Sequence, residues 1–301
     1  MRTAVLDLGT NTFDLIIVEH DQARGRFKVL YTDKSFVHLG ERGSTMNQIT
    51  LAAKKRAFFA LEHFLQACFD YHVNIEHIRA FGTSALRDAE NRAEIKAELK
   101  QKLGIDIMII RGYQEAQWVY EGIKGIHPFQ QKSCIMDIGG GSTEFIFADQ
   151  QGVSYKESLD IGVSRILQLF DSPGKLNKEK QEQMIQFMEQ ASPQVFESRQ
   201  TRVLIGAAGS FETYYQLITK SASYDTFKTH ELPINALKHT LNQLIASSFE
   251  ERCDNFWIPN YRRKMIHIAA LQTKWVLERL DIKQCYFSPA ALKEGVLFAQ
   301  K

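Results

Sequence analysis

The sequence has no cysteine spacing of the kind that metal-binding or disulfide-stabilised proteins use. Four cysteines are spread over 301 residues, and none belongs to a Cys-x-x-Cys pair: Cys68, Cys134, Cys253 and Cys285. Isolated cysteines disfavour both a zinc site and a disulfide scaffold. We therefore interpret them as small buried hydrophobic residues of a protein in a reducing compartment.

Long apolar runs and a large net charge are also missing. No apolar run approaches the roughly 18 residues of a membrane-spanning helix. The strand pattern begins directly after Met1, so we expect no signal peptide. Lys and Arg total 37 against 35 Asp and Glu, which gives a net charge of +2. Because no global field would steer a long polyanion, any attraction to phosphates must be local. We expect a cytoplasmic enzyme with no nucleic-acid or membrane partner.

Several well-defined catalytic motifs are absent. The sequence contains no Gly-x-x-x-x-Gly-Lys-Ser/Thr loop, Gly-x-Gly-x-x-Gly fingerprint, His-Glu-x-x-His pair or Gly-x-Ser-x-Gly elbow. The chemistries that these motifs support therefore have no basis here. The 9 histidines are scattered without ligand spacing, which favours structural or surface roles for them.

The most informative stretch is residues 135–148, where two apolar runs enclose a glycine-rich segment with acids and hydroxyls. Gly139, Gly140 and Gly141 allow the backbone to approach a ligand closely, and successive N–H groups in such a turn bind anions. Asp137 and Glu144 flank the turn, and carboxylate oxygens are the ligands that hard divalent cations prefer. The pattern predicts a hairpin around phosphate and metal, although an ordinary glycine-containing hairpin has the same local pattern.

Residues 5–18 repeat this stretch without a gap. The aligned pairs are Asp7 with Asp137, Gly9 with Gly139, Thr12 with Ser142, and Asp14 with Glu144. An internal repeat is stronger evidence for a fold than a single motif. The two copies predict two similar lobes that face one polyphosphate chain. The coarse pattern adds a third strand at 26–31, a loop at 32–48, a helix from Leu51 and a linker at 121–131.

Three further segments place polar residues where a strand gives way to a helix. Gly82 begins a Gly-Thr-Ser turn, and Arg87 lies one turn into the helical sequence that follows, where its guanidinium could bind phosphate. An N-capped surface helix with a solvated arginine fits this segment equally well. Glu115 follows a strand at 105–110, in a first helical turn where the helix dipole favours a carboxylate. The third segment, residues 206–210, is another glycine turn.

These motifs together resemble the two-lobed phosphotransfer fold of actin, sugar kinases and heat-shock chaperone ATPases. More narrowly, residues 7–12, 82–87, 137–144, 206–209 and 292–297 are similar, in that order, to the exopolyphosphatase / guanosine pentaphosphate phosphatase (Ppx/GppA) family. The resemblance implies an α/β protein with two ribonuclease-H-like lobes and an interlobe cleft, in a short two-domain form. We expect lobes at 1–124 and 125–287, with the C-terminal helix in 288–301 packing back on the first.

The resemblance also implies residue roles. Glu115 matches the catalytic glutamate and Arg87 the phosphate-contacting arginine, while Asp137, Glu144 and Asp7 would hold Mg²⁺. Arg263 matches a family arginine and lies in the basic cluster 261–264, which precedes a helix and could contact phosphate, although such a cluster is usually a solvated face. The phosphate-binding residues would be Gly9, Thr10, Asn11, Thr12, Gly139, Gly140, Gly141, Ser142, Thr143, Gly206, Gly209, Ser210 and Arg263.

The expected activity is release of terminal orthophosphate from inorganic polyphosphate, with a Glu115-activated water attacking in line and Mg²⁺ assisting. Guanosine pentaphosphate is the alternative substrate. An ATP-dependent small-molecule kinase and a non-catalytic sensor of polyphosphate or alarmone also remain open. Carboxylates beside an anion argue against a sensor that works without metal. A homodimer would fit this family, but no segment of the sequence indicates a dimer interface.

Overall fold

The computed structural model describes residues 1–21, 26–41, 47–197 and 199–299, which form an α/β protein with two sheets. The chain divides into two compact units, Met1–Glu115 with Val296–Lys301, and Ala116–Gly295. The lobes expected from the sequence, 1–124 with 288–301 and 125–287, stay a prediction of domain organisation. Among the described residues, no helix has both the length and the apolar character to cross a membrane.

The first unit is built on a sheet with strand order 3-2-1-4-5. Its elements, in chain order, are β1 (Arg2–Leu8), β2 (Thr12–Asp21), β3 (Arg26–Phe36), α1 (Leu51–Asp70), a 3₁₀ turn (Ile75–His77), β4 (Ile78–Gly82), α2 (Ser84–Asp88), α3 (Arg92–Leu103), β5 (Ile107–Ile109) and α4 (Gly112–Lys124), which continues into the second unit. Strands β1, β2 and β3 form an antiparallel meander, and β1, β4 and β5 run parallel.

Strand β3 is longer than its sequence indicates. The loop predicted at 32–48 is wrong for residues 32–36, which pair with β2 up to the Thr12 and Phe36 partners. Burial alternates from Tyr31 to Phe36 as expected for an edge strand with one solvated face. Residues 32–35 are all polar, so the segment has the composition of a loop. Residues 42–46 of the predicted loop lie outside the described residues.

The second unit repeats the first. Its elements are β6 (Ser133–Ile138), β7 (Thr143–Asp149), β8 (Gly152–Leu159), α5 (Val163–Phe170), α6 (Lys178–Ala191), β9 (Val203–Ala207), α7 (Gly209–Thr219), β10 (His230–Leu232), α8 (Ile234–Ala246), α9 (Phe249–Asp254), a 3₁₀ turn (Asn260–Arg262), α10 (Ile266–Arg279), β11 (Gln284–Ser288) and α11 (Leu292–Phe298), which continues into the first unit.

Strand order in the second sheet shows the repeat directly. The order β8-β7-β6-β9-β11 matches β3-β2-β1-β4-β5, with β10 added antiparallel at the edge. This order, with three antiparallel strands followed by two parallel ones, is that of a ribonuclease-H-like fold. The predicted fold class of two ribonuclease-H-like units is therefore confirmed. Helix α4 continues to Lys124, so the predicted linker is wrong for 121–124.

Two glycines in the second unit allow α4 and α11 to make backbone contact. A Cβ on Gly295 would lie 1.7 Å from the carbonyl oxygen of Trp118, and one on Gly122 would lie 2.2 Å from that of Ala291. Both distances are far below van der Waals contact, so no side chain fits at either position. This contact gives the closing motif at 292–297 a packing reason for its glycine.

Candidate active site

The first glycine turn joins β1 to β2. The Gly9 N–H donates to the Thr12 carbonyl at 3.0 Å, which closes the turn. Two carbonyls of the turn accept hydrogen bonds from the protein. The Thr10 carbonyl accepts from the Gly40 N–H at 3.0 Å, and the Asn11 carbonyl accepts from the backbone N–H groups of residues 37 and 38 at 2.9 and 2.8 Å. Because these carbonyls are occupied, the turn can offer N–H groups to a ligand, which suits an anion.

The second glycine turn, between β6 and β7, is bonded in the same way. The Gly139 N–H donates to the Ser142 carbonyl at 3.0 Å. The carbonyls of residues 139–141 then accept backbone N–H groups from the segment at the start of α5. These bonds are Val163 to Gly139 at 3.0 Å, Ser164 and Arg165 to Gly140 at 2.8 and 3.2 Å, and Gly162 to Gly141 at 3.2 Å. Both turns thus direct their carbonyls into the protein.

A glycine directly beneath the second turn makes this arrangement possible. A Cβ on Gly162 would lie 2.4 Å from the carbonyl carbon and oxygen of Gly140 and from the carbonyl carbon of Gly141. In the first unit, Gly40 has the corresponding place, and its Cβ would lie 2.4 Å from the Thr10 side chain. Neither glycine was predicted as a site residue from the sequence. The repeated apolar-glycine pairs at 39–40 and 161–162, each after a third strand, were the available signal.

Each turn carries one pair of acids directly across its two strands. Asp7 is the Cα partner of Asp14, and Asp137 is that of Glu144. Opposed side chains on antiparallel strands lie on one face of the sheet, with Cβ atoms about 5 Å apart. Ser158, on β8, donates its hydroxyl to Glu144 Oε1 at 2.6 Å. In the first unit, Lys34 Nζ lies 3.0 Å from Asp14 Oδ1.

These acid pairs suit Mg²⁺ better than calcium or zinc held by protein ligands alone. No group of three or more His, Cys, Asp or Glu side chains with metal-binding geometry occurs among the described residues. An all-protein calcium or zinc cage is therefore not what they form. Mg²⁺ is commonly held by one or two carboxylates together with water and substrate phosphates. Asp137 and Glu144 are two such carboxylates, beside the second glycine turn.

Glu115 and Arg87 meet at the carboxyl ends of the parallel strands of the first unit. Arg87 Nη1 donates to Glu115 Oε2 at 3.0 Å and to the Ile110 carbonyl at 3.1 Å. Glu115 is only 8% exposed. It lies in the first turn of α4, which follows β5, while Arg87 lies in α2, which follows β4. The two residues predicted to be catalytic are thus in direct contact.

The third glycine turn lies beside the second one. Strands β6 and β9 are parallel neighbours, with Met136 opposite Gly206 and Asp137 opposite Ala207. Ala208 has φ of 35°, a strained value for a residue with a side chain, and α7 begins directly after it. The predicted residues Gly209 and Ser210 open that helix. Thr143, by contrast, is fully buried in β7, and its hydroxyl has no hydrogen-bond partner within the described ranges.

The basic cluster at 261–264 is divided between two environments. Arg263 Nε donates to the Ile258 carbonyl at 3.2 Å. Arg262 instead reaches the first turn of α7, where Nη1 donates to Thr213 Oγ1 at 2.6 Å and Nη2 lies 3.3 Å from Glu212 Oε2. Tyr224 donates its hydroxyl to Glu212 at 2.7 Å, and burial raises the pKa of Tyr224, with the Glu212 carboxylate adding to the effect. The group formed by Glu212, Tyr224 and Arg262 was not predicted, because Glu212 and Arg262 are 50 residues apart in the chain.

Apart from Thr143 and Arg263, the predicted site residues fall into one group in each unit. In the first unit, Asp7, the turn at 9–12, Arg87 and Glu115 lie at the carboxyl ends of β1, β4 and β5. In the second unit, Asp137, the turn at 139–142, Glu144 and the turn at 206–210 lie at the ends of β6 and β9. The roles given to these residues stay predictions.

Comparison with solved structures finds close similarity over the whole chain. The crystal structure of an exopolyphosphatase from Cytophaga hutchinsonii has a TM-score of 0.94 and 28% identity, with 99% of this chain and 97% of that chain covered. A PPX-GPPA enzyme of Aquifex aeolicus has a TM-score of 0.82 at 23% identity, with 100% and 99% covered, and supports the fold.

Comparison with curated sequences finds longer relatives. A guanosine-5'-triphosphate,3'-diphosphate pyrophosphatase of Aeromonas hydrophila is 24% identical over 298 residues, which are 98% of this chain and 58% of that protein. A bifunctional 3-dehydroquinate synthase/phosphatase of Fusobacterium nucleatum is 31% identical over 236 residues, which are 75% of this chain and 36% of that protein. The chain thus spans less than two thirds of either relative. The sequence model of the Ppx/GppA phosphatase family matches residues 16–301, and the chain belongs to that family.

Proposed function

We propose that this chain is a phosphohydrolase that releases terminal orthophosphate from inorganic polyphosphate. The observation that carries the proposal is the pair of turns after Gly9 and Gly139, which share one hydrogen-bonding scheme, with their carbonyls bonded within the protein. Such turns are suited to binding an anion through N–H groups. The 28% identity to an exopolyphosphatase, over nearly the whole of both chains, supports polyphosphate as the substrate. Positioning and charge neutralisation account for most of the catalysis in phosphoryl transfer, which suits such a scaffold.

In this proposal, Glu115 orients a water molecule in line with the terminal phosphorus and accepts its proton. Arg87 holds the carboxylate in place through Nη1. A guanidinium has five N–H donors, and within the described residues Nε and Nη2 of Arg87 donate to no protein acceptor. These donors can bind a phosphoryl oxygen and balance the charge that develops on it.

We propose that Asp137 and Glu144 hold a divalent cation, with Asp7 as the corresponding acid of the first unit. Mg²⁺ would neutralise phosphate charge there when it is bound. The turn amides, Asn11 and Ser142 would bind and orient the phosphates. The buried side chain of Thr143 does not support phosphate binding by its hydroxyl, so Thr143 would contact phosphate only through its backbone.

Ser158 provides a test of the metal assignment. Ser158→Ala removes the hydroxyl that orients Glu144, and loss of such an outer partner commonly lowers metal affinity about 10- to 100-fold. We expect the Mg²⁺ concentration for half-maximal phosphate release to rise about tenfold. Ser154→Ala is the matched control, because Ser154 lies on the same strand and its hydroxyl donates to the Phe147 carbonyl. Equal Mg²⁺ requirements in the two variants would argue against Glu144 as a ligand.

Guanosine pentaphosphate is the second candidate substrate, supported by the 24% identity to the Aeromonas pyrophosphatase. Phosphate release should be measured side by side on short polyphosphate, long polyphosphate and guanosine pentaphosphate, with and without Mg²⁺. We expect Mg²⁺-dependent release, with polyphosphate giving the higher kcat/KM. A higher value on the nucleotide would reverse the assignment. ATP consumption that depends on an acceptor would indicate a kinase, and Mg²⁺-independent binding without release would indicate a sensor.

The remaining expectations concern location and assembly. A cytoplasmic location, a homodimer, and the absence of nucleic-acid or membrane partners stay predictions from the sequence.

A further inference from the structure

A cavity of about 440 Å³ lies in the second unit, outside the candidate active site. The ends of α7, α8 and α9 line it, and its volume falls within the range of small-molecule sites, about 300 to 1,000 Å³. Part of the wall is apolar, formed by Leu217, Leu244 and Ile258. The polar part includes Lys220, Thr240 and Arg252. This mixture is typical of a site for a ligand with an apolar body and one polar group.

Arg252 places a buried positive charge in the cavity wall. It is 1% exposed. Its guanidinium donates to the carbonyls of Arg263 and Ser247, both at 2.7 Å, and to that of Pro173. All of these acceptors are uncharged, and no carboxylate lies within ion-pair distance of Arg252 in the described part of the chain. Burial lowers the pKa of Arg252, and the charges of Glu250 and Glu251 only partly offset this effect, so an anion in the cavity would stabilise the guanidinium further.

Two further donors face no protein acceptor. The ammonium group of Lys220, at the end of α7, has no hydrogen-bond or ion-pair partner within the described residues. Thr240 is 8% exposed, and its hydroxyl likewise has no partner in those residues. Both side chains line the cavity with Arg252. A cation and a buried hydroxyl are therefore available for one ligand.

One acid also lines the cavity and limits the charge of its ligand. Glu251 is exposed, and its Oε2 accepts the Ser248 N–H at 2.7 Å in the capping box of α9. With Arg252 and Lys220 positive and Glu251 negative, the local net charge is +1, from two cations and one anion. A monoanion matches this balance better than a polyphosphate does.

We propose that this cavity binds a small organic monocarboxylate with an apolar body. The carboxylate lies against Lys220, whose ammonium donates to it, and near Arg252. Because most N–H donors of Arg252 are already bound to protein oxygens, this residue contributes mainly its positive charge. The Thr240 hydroxyl donates to the same carboxylate. The apolar body packs on Leu217, Leu244 and Ile258. This assignment is independent of the proposed hydrolysis, since none of these residues belongs to the candidate active site.

Phenylacetate is the probe for the test, with phenylacetamide as its uncharged isostere. Methyl NMR spectra of the full chain are recorded during titration to about 20 mM, where millimolar sites saturate. We expect saturable shifts of the Leu217, Leu244 and Ile258 methyl signals with phenylacetate. Phenylacetamide should bind at least about tenfold more weakly. No saturable shift, or equal affinity for the two probes, would overturn the proposal.

Substitutions of cavity residues test whether phenylacetate binds in this cavity. Arg252 is not replaced, because it is buried and its loss would disturb the core. Lys220→Met should weaken phenylacetate binding about tenfold, which is about 1.4 kcal/mol. Thr240→Val should weaken it severalfold. Lys238→Met is the matched control, since Lys238 is an exposed lysine of α8 that does not line the cavity. If Lys238→Met weakens binding as much as Lys220→Met, the attraction is nonspecific and the assignment fails.

Discussion

Replacement of Glu115 by glutamine is expected to lower turnover at least about a hundredfold, since general-base catalysis typically contributes about 10² to 10⁴ in rate. Glutamine keeps the size of the side chain and one oxygen. That oxygen can accept the hydrogen bond that Arg87 Nη1 donates to Glu115 Oε2, which is 3.0 Å long in this structure. What it removes is the negative charge and the ability to take a proton from water. The loss should therefore appear in kcat, while the affinity for phosphate and the thermal transition change little.

The control for this variant is Glu121→Gln on the same helix. Glu121 accepts a hydrogen bond from Gln117 at 2.8 Å and has no role in the proposed chemistry. Steady-state orthophosphate release gives kcat and KM for both variants, and circular dichroism follows their unfolding. Near-normal turnover of Glu115→Gln would rule out Glu115 as the base. A large loss in both variants would point to damage of α4 instead.

Gly162→Ala is expected to disrupt the second glycine turn. The new Cβ would lie 2.4 Å from the backbone of Gly140 and Gly141, and backbone atoms cannot move aside as a flexible side chain can. The turn must shift, and its bonds to the start of α5 must lengthen. Overpacking of this kind costs about 1–3 kcal/mol in stability. Because the displaced amides are the proposed phosphate donors, we also expect a rise in KM and a fall in kcat that exceed the stability effect.

Gly174→Ala provides the control for this experiment. A Cβ on Gly174 meets no atom within 4 Å. Both substitutions restrict the unfolded chain by the same amount, so the difference between them reports the native contact alone. Thermal unfolding and steady-state kinetics on polyphosphate should be compared for the two. If Gly162→Ala matches Gly174→Ala in both measurements, the close packing under the turn has no functional importance.

The repeat made much of the fold predictable. Alignment of residues 5–18 with 135–148 placed both hairpins, and the structure gives them the same closing bond and the same opposed acids. The pattern was readable because strand, turn and strand are local in sequence. The contact between Arg87 and Glu115 was not predicted, but it agrees with a topological rule, since residues after adjacent parallel strands share one edge of the sheet.

The features of the site that were not predicted depend on contacts between residues that are distant in the chain. Ser158 binds Glu144 through strand pairing, and Gly162 is required by a turn more than twenty residues earlier. Arg262 was not distinguished from Arg263, because only the fold brings Arg262 to Glu212. The end of β3 was missed for a different reason, since a solvated edge strand has the composition of a loop. The segment 230–254, with β10, α8 and α9, had no motif to mark it.

The central claim is that water attacks the terminal phosphorus of a polyphosphate chain on this protein. A single-turnover reaction in water enriched in oxygen-18, with Mg²⁺ and short polyphosphate, tests it directly. The account predicts that each released orthophosphate carries one labelled oxygen and that the shortened chain carries none. Label in the shortened chain, or no orthophosphate release by the intact protein, would contradict it.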